Sequence, residues 1–266
     1  MFDCHVHSSF SGDSDMDSGV ACEKAVEKGL RGIVFTDHYD EDYPDYNENF
    51  LIEFDDYSKH MALLKEQFKG RLNVLMGVEA GIQPHVIEKI CNVVSTYEFD
   101  FVIASIHIID RMDPYAGAYY QGKTKEQAFS RYLEEILHCS KLYKNYDVLG
   151  HIGYVRRYGG YSDNSLRHAD HCDVIDEILK TVISDGKGIE VNTSGYRNGL
   201  GSPIPDYDIV KRYKELGGEI LCLGSDAHYT EHIGADFDKT KANLLDLGFK
   251  YLVHYEKRKP VFEKIK

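Results

Sequence analysis

The stretch GIVFTDH, residues 32–38, is a short apolar run that ends in three polar residues. An uninterrupted apolar run of this length is typical of a strand covered on both faces, as in a parallel sheet flanked by helices. The run EILCLGSD at 219–226 has the same form. The sequence therefore predicts buried parallel strands that are each followed directly by polar side chains.

Seven such strands alternate with seven amphipathic segments along the chain. The predicted strands lie at 2–7, 32–36, 73–79, 101–107, 147–151, 188–192 and 219–226. The predicted helices lie at 17–29, 54–69, 84–97, 124–143, 167–185, 205–216 and 235–247. This alternation predicts an α/β protein with right-handed crossovers and a parallel sheet that closes into a barrel. An open doubly wound sheet is the alternative, because periodicity alone does not separate the two.

The composition limits the protein's class and location. The length of 266 residues suits one domain over 1–266, since barrels of alternating strands and helices reach this size. No apolar run approaches the length of a membrane span, and the start lacks a secretory signal, so we expect a cytoplasmic protein. The six cysteines are scattered, as expected of reduced thiols. The formal charge of −13 argues against binding to a nucleic-acid backbone.

Histidines and carboxylates stand at the ends of most predicted strands. They are His5, His7, His38, Glu79, His107, His151, Asp226 and His228, and Asp13 lies in the loop after the first strand. Because parallel barrel strands end on one rim, we expect these side chains to gather there. Each histidine alone is more simply explained by an ordinary hydrogen bond, but together they predict metal ligands. Imidazole with carboxylate suits two or three Zn, Mn or Fe ions, and such clusters hydrolyse phosphoesters.

The motifs HVH, TDH, GVE, SIH, GH and SDAH, in this order, resemble the polymerase-and-histidinol-phosphatase (PHP) superfamily. The resemblance implies a distorted (β/α)7 barrel with a trinuclear metal site. Carried over by position, it implies three ligand sets: His5, His7, Glu79 and Asp226; Glu79, His107 and His151; and Asp13, His38 and His228. Many members have a histidine where Asp13 stands, and Asp15 is an alternative to Asp13 here.

The opening HVHSSFSGDS and the segment EVNTSGYRNG look most like the histidinol-phosphate phosphatase branch. The small phosphorylated substrate implied is L-histidinol phosphate, an intermediate of histidine biosynthesis. Arg197, and either Arg156 or Arg157, are predicted to bind phosphate, because guanidinium groups pair with phosphate oxygens in a forked geometry. Glu79 is predicted to bridge two metals, and Asp226 and His228 to handle the proton of the leaving group.

The acidic, aromatic loop HYDEDYPDYNENF, residues 38–50, either receives the cationic end of that substrate or is simply a solvated surface. Three alternative functions are a PHP-type phosphatase of nucleotides, a phosphatase of protein phosphotyrosine, and a catalytically idle metal-binding module. The nearly complete ligand set argues against the last of these. The sequence makes no prediction about oligomeric state.

Overall fold

A curved sheet of parallel strands forms the centre of the computed structural model, which describes residues 1–44 and 50–266. Seven strands follow the order β1-β2-β4-β5-β6-β7-β8, and a two-residue strand, β3, pairs with β4. Their bounds are β1 Phe2–Val6, β2 Gly32–Phe35, β3 His38–Tyr39, β4 Asn73–Gly81, β5 Phe101–Ser105, β6 Val148–Leu149, β7 Gly188–Asn192 and β8 Leu221–Gly224. The seven predicted strands are confirmed, and β3 is additional.

The first and last strands of the sheet approach each other and nearly close a barrel. Val6 forms a parallel bridge with Ala227 just beyond β8. The backbone N–H of Asp226 donates to the His5 carbonyl at 2.8 Å, and that of His7 donates to the Ala227 carbonyl at 2.9 Å. The barrel prediction is therefore confirmed, and the open doubly wound alternative is wrong.

Helices pack around the outside of the barrel. They are α1 Ser18–Glu27, α2 Phe54–Gln67, α3 Ile87–Thr96, α4 Lys125–Leu142, α5 Cys172–Ser184, α6 Ser194–Arg197, α7 Tyr207–Glu215 and α8 Phe237–Asp246. The Asp17 side chain caps α1 by accepting from the Val20 N–H at 2.9 Å, and Thr124 and Gln127 form a capping box on α4. Every predicted helix is present, and α6 is a short addition after β7.

A two-stranded antiparallel hairpin, β9 Tyr251–Glu256 and β10 Lys259–Lys264, was not predicted. Val253 and Tyr255 of β9 join the apolar cluster inside the barrel, which consists of Phe2, Cys4, Val34, Leu75, Phe101, Ile103, Val148, Cys222, Val253 and Tyr255. The barrel is thus filled with side chains toward the amino-terminal ends of its strands. Polar side chains are left for the opposite end.

Candidate active site

The carboxyl-terminal ends of the strands surround a cavity of about 290 Å³. Seven of the nine predicted metal ligands line it: Asp13, His38, Glu79, His107, His151, Asp226 and His228. His5 and His7 lie beneath its floor and are fully buried. The two histidines point to the same side because alternate residues of a strand share a face. The structure therefore brings all nine residues to one end of the barrel.

Glu79 on β4 lies at the centre of this arrangement, and its side chain is inaccessible to solvent. One carboxylate oxygen, Oε1, lies 2.7 Å from His151 Nε2 and 3.2 Å from His107 Nε2. The other, Oε2, lies 3.2 Å from His5 Nε2, 3.5 Å from His7 Nε2 and 3.0 Å from His38 Nδ1. The two oxygens thus face different sets of histidines, which is the placement expected of a bridging ligand.

The charge of Glu79 is maintained despite its burial. Burial raises the pKa of this carboxyl, but the surrounding imidazoles, led by His5 and His107, lower it more strongly, and its pKa lies well below the ordinary value. His5 responds in the opposite direction. Burial lowers the pKa of its imidazole, but Glu190 and Glu79 outweigh this effect and hold the pKa well above its usual range.

Among residues 1–44 and 50–266, three groups of side chains have ligand atoms within 4.8 Å of one another: His7, Asp13, His38 and His228; His5, His7 and Glu79; and His38, Glu79 and His107. The groups resemble the three sets implied by the sequence, with some exchange of members. His7 joins the Asp13 group, and His38 takes the place of His151 beside His107. Asp226 Oδ1 lies 3.4 Å from His7 Nε2 and 3.7 Å from His5 Nε2.

The donor atoms fit divalent cations. His5 Nε2 and His7 Nε2 face each other at 3.0 Å, so a proton or a cation must offset the repulsion between their lone pairs. Glu79 Oε2 and His38 Nδ1 are buried 3.0 Å apart, but they are not aligned for a hydrogen bond, and neither has another hydrogen-bond partner in the described part of the chain. Buried polar atoms of this kind call for an explanation, and a cation held by imidazole and carboxylate supplies one.

The loop aspartates differ in position. Asp13 Oδ2 lies 3.1 Å from His228 Nε2 and 3.5 Å from His38 Nε2. Asp15 is exposed and belongs to none of the three ligand groups. Burial raises the pKa of Asp13, but His38 and His228 outweigh this effect and hold it far below its ordinary value. The geometry thus favours Asp13 over Asp15 as the loop ligand.

The three arginines that were predicted to bind phosphate also differ in their position relative to the cavity. Arg157 and Arg197 line the cavity, whereas Arg156 does not. Arg157 contacts Asp226 Oδ2 at 2.5 Å, and its Nε–H is buried without an acceptor among residues 1–44 and 50–266. Arg197 donates to the backbone carbonyls of Ser225 and Asp226.

Arg156 is directed away from the cavity and into a neighbouring loop. Its guanidinium pairs with Asp206 at 3.0 Å and donates to the Asn164 carbonyl at 3.0 Å and the Pro203 carbonyl at 3.3 Å. These contacts occupy the group in the fold. The prediction that Arg156 binds phosphate therefore has no geometric support.

Sequence reasoning missed the residues that hold the outward ring nitrogens of the histidines. Glu190 Oε1 lies 2.6 Å from His5 Nδ1, and Asp40 Oδ1 lies 2.9 Å from His107 Nδ1. His7 Nδ1 lies 2.9 Å from Ser11 Oγ, which in turn donates to Asp37 at 3.0 Å. A weak signal existed, because Glu190 is a charged residue inside the otherwise apolar run GIEV.

Aromatic side chains form one wall of the cavity: Tyr43, Phe50, Tyr115, Tyr154 and Tyr158. The Tyr43 and Tyr154 hydroxyls both donate to the Asp113 carboxylate, the latter at 3.4 Å. Tyr43 and Phe50 belong to the loop that the sequence singled out at 38–50, so part of that loop does line the cavity. The remainder of the loop, 45–49, lies outside the described residues.

No helix in the described part of the chain is long and apolar enough to cross a bilayer.

Comparison with known proteins places this geometry in a family. The PHP domain profile matches residues 3–194. A "Probable histidinol-phosphatase" of Clostridium acetobutylicum is 35% identical over 261 residues, which cover 97% of this chain and 98% of the relative. A histidinol-phosphatase of Lactococcus lactis subsp. lactis is 32% identical over 254 residues, covering 95% and 93% of the two chains.

A solved structure agrees over the same length. The crystal structure of histidinol phosphate phosphatase from Lactococcus lactis, complexed with zinc, L-histidinol and phosphate, matches with a TM-score of 0.90 and 31% identity. The match covers 98% of this chain and 98% of that chain. The fold, the residues at the strand ends and the sequence similarity all indicate the same family. The chain belongs to the PHP domain family.

Proposed function

We propose that this protein hydrolyses L-histidinol phosphate to L-histidinol and phosphate with the help of bound divalent cations. The observation that carries the proposal is the full-length similarity to the Lactococcus lactis enzyme, whose structure contains zinc, L-histidinol and phosphate. The cavity supports it, because its volume of about 290 Å³ lies at the small end of ligand pockets. A small phosphomonoester fits this size better than a polymer does.

The nine strand-end residues are the proposed cation ligands. Zinc is the first candidate, since imidazole and carboxylate are its usual nitrogen and oxygen ligands, and the number of ions is proposed as two to three. Bound cations would lower the pKa of a water and stabilise charge on the phosphoryl oxygens. In this scheme Glu79 joins two ligand groups, because its two oxygens face different histidines.

Arg157 and Arg197 are proposed to bind and orient the phosphoryl group. Arg157 lines the cavity, and its buried Nε–H has no hydrogen-bond acceptor in the described residues. Asp226 Oδ2 and Ser194 Oγ accept from Arg157 Nη2 at 2.5 Å and 2.6 Å and fix the plane of the guanidinium. A planar guanidinium fixed in this way can donate two parallel hydrogen bonds to phosphate.

Between the two candidates for proton transfer, His228 is better suited than Asp226. Burial raises the pKa of Asp226, but Arg157 and His5 lower it more strongly, and its carboxyl stays ionised. An ionised carboxylate has no proton to give to the leaving alkoxide. His228 lines the cavity and has Nδ1 3.1 Å from the Asp226 carbonyl, but it is also a proposed cation ligand, so its imidazole would carry the leaving-group proton only while Nε2 holds no cation.

The aromatic wall is proposed to receive the cationic end of the substrate. Aromatic faces attract ammonium and imidazolium groups. The Tyr43 and Tyr154 hydroxyls both donate to the Asp113 carboxylate, which orients the two phenol rings at the cavity. This arrangement would favour histidinol phosphate over phosphomonoesters that lack a cationic group.

Phosphate release tests the proposal. We would compare L-histidinol phosphate, a nucleoside 3′,5′-bisphosphate, a phosphotyrosine peptide and an aryl phosphate, using chelator-treated and zinc-reconstituted protein. We expect zinc-dependent turnover with kcat/KM for histidinol phosphate at least about 100-fold above the others, because the site is built around its polar groups. Faster turnover of another substrate would overturn the assignment, and turnover that survives chelation would overturn the cation-dependent mechanism.

The relatives align with almost the whole of this chain. This supports the proposal of one catalytic domain over residues 1–266, and the cytoplasmic location stays a prediction.

A further inference from the structure

Glu190 is a buried carboxylate on β7 that touches two of the proposed cation ligands without lining the cavity. Its side chain is 1% exposed, and both of its oxygens accept hydrogen bonds. Burying a charged group is costly unless it is well paired, so a carboxylate at this position needs a specific role. Its partners indicate what that role is.

The first partner is the His5 imidazole. Glu190 Oε1 lies 2.6 Å from His5 Nδ1, and a carboxylate can only accept, so the His5 Nδ1–H is the donor. This contact fixes the neutral imidazole in one tautomer, with the lone pair on Nε2. Nε2 faces Glu79 Oε2 at 3.2 Å and His7 Nε2 at 3.0 Å, where the first ligand group converges.

The second partner is the backbone at the end of β6. The His151 N–H donates to Glu190 Oε2 at 2.8 Å, so the same carboxylate holds the strand end that presents a second proposed ligand. Asn192 Nδ2 donates to Glu190 Oε1 and to Asp226 Oδ2, each at 3.2 Å. Glu190 therefore connects ligands that three different strands deliver.

The fold keeps space for this carboxylate at Gly224 on β8. A Cβ at position 224 would lie 2.4 Å from Glu190 Oε1 and 2.5 Å from His5 Cβ, closer than atoms can approach. Any larger residue would push Glu190 and His5 apart. The glycine is thus required by the close approach of the two side chains.

We propose that Glu190 is a positioning residue that sets the tautomer and orientation of His5 and holds the backbone of His151, so that both imidazoles meet Glu79 at the same time. The inference rests on the proposal that His5 binds a cation. Carboxylates that hold the far nitrogen of a metal-bound histidine contribute about 10- to 100-fold to metal affinity.

The test compares Glu190→Gln with a matched control, Asp147→Asn. Asp147 is also a buried carboxylate that accepts from one backbone N–H, of Val102 at 2.8 Å, and one side-chain N–H, of Arg258 at 2.5 Å. It lies at the opposite end of the barrel, just before β6. Zinc affinity would be measured by competition with a chromogenic chelator, and zinc stoichiometry by elemental analysis.

We expect Glu190→Gln to weaken the affinity for one zinc ion about 10- to 100-fold, while Asp147→Asn leaves zinc affinity unchanged even where it lowers Tm. His5→Gln should lose that ion altogether. If His5→Gln retains every ion, the proposed metal site itself is wrong. If His5→Gln loses one ion but Glu190→Gln does not weaken it, the positioning role alone is overturned.

A second measurement does not depend on the folding of the Glu190 variant. In zinc-loaded wild-type protein labelled with ¹⁵N-histidine, the NMR signals of His5, assigned by their absence in His5→Gln, should show a protonated Nδ1 protected from exchange and a zinc-bound Nε2. A His5 ring protonated at Nε2, or bound to zinc through Nδ1, would contradict the inference. Gly224→Ala should remove the protection of Nδ1 without removing the carboxylate.

Discussion

Glu79 is the residue on which the histidines of β1, β3 and the ends of β5 and β6 converge. Its Oε1 faces the histidines on one side of the cavity, and its Oε2 faces those on the other. Exchange of one oxygen for an amide nitrogen would place N–H donors against ring nitrogens or cations. This residue is therefore the most sensitive position for testing whether the ligand groups act together.

We expect Glu79→Gln to lose bound zinc and at least about 1,000-fold in kcat/KM, because cation chemistry contributes several kcal/mol to the transition state and each 1.4 kcal/mol is tenfold. Zinc analysis and phosphate release on the folded protein would measure both effects. The control is Glu88→Gln, the same exchange at an exposed position of α3. Activity of Glu79→Gln near the wild-type level would contradict the role of Glu79.

Arg157→Lys and Arg156→Lys should have different effects although the residues are neighbours. Lysine keeps the charge but not the forked geometry, so Arg157→Lys should lower kcat/KM about 10- to 100-fold. Arg156→Lys should lower Tm, because the guanidinium bonds to Asn164, Pro203 and Asp206 are lost, and leave KM unchanged. Steady-state kinetics and thermal unfolding of both variants would check this, and a reversed pattern would contradict the assignment.

The sequence predicted the cavity-facing side chains but not the residues behind them. His38, Glu79 and His107 are visible because each ends an apolar run. Glu190 is separated from His5 by 185 positions, and Asp40 from His107 by 67, so their pairing depends on which strands become neighbours. Arg156 and Arg157 could not be distinguished because a 3₁₀ turn, invisible in the pattern, decides which side chain enters the cavity.

The hairpin β9–β10 shows why a local sequence pattern can fail to predict an element. Its turn residues, Lys257 and Arg258, have φ values of 49° and 62°. Two-residue hairpin turns of this kind usually contain Asn-Gly or Asp-Gly, and neither is present. Asp100 compensates, since its side chain accepts from the Lys257 N–H and its carbonyl from the Arg258 N–H, each at 2.9 Å. A distant residue thus supplies what the turn sequence lacks.

Replacing Lys257 with asparagine should stabilise the protein, because asparagine tolerates the left-handed backbone conformation better than lysine does. We expect a gain of about 0.5–1 kcal/mol in the free energy of unfolding, or about 1–4 °C in Tm. Thermal unfolding would measure it. Lys259→Asn in the extended strand β10 is the control and should give no gain. A lower Tm for Lys257→Asn would show that the turn is not strained.

The helices were the best-predicted elements, since their apolar faces repeat over many residues. The ends were less certain, and α5 begins at Cys172, five residues after the predicted start at 167. A short 3₁₀ turn, His168–Asp170, occupies part of that interval. The His168 N–H donates to Asp208 beside it, so a contact with α7 replaces the first turn of the helix.

At the scale of the whole molecule, the proposed cations would connect strands from all parts of the barrel. A ligand that binds only the folded state stabilises it by about 2.7 kcal/mol at 100 times its Kd. We therefore expect chelation to lower Tm by several degrees and zinc to restore it. Glu79→Gln should show a much smaller response. An identical Tm for chelated and zinc-loaded wild-type protein would contradict the proposed site.

The sequence predicted seven parallel strands but left a barrel and an open sheet as alternatives. Which of the two forms depends on whether β1 pairs with the end of β8, as it does through Val6 and Ala227. This pairing follows from the twist of the whole sheet. No local pattern contains that information. The contact was therefore accessible only from the folded structure.

This closure also has a consequence for biosynthesis. Asp3 at the start of β1 accepts hydrogen bonds from Ser225, 222 positions later, and the contact lies directly beside His5 and Asp226. Contacts so distant in sequence form late, because the loop they close is long. On the ribosome, His5 and His7 emerge well before Asp226 and His228, which lie about 220 residues later in the chain. A nascent chain therefore carries an incomplete set of donors, and complete loading with the proposed cations would have to follow synthesis of the last donors.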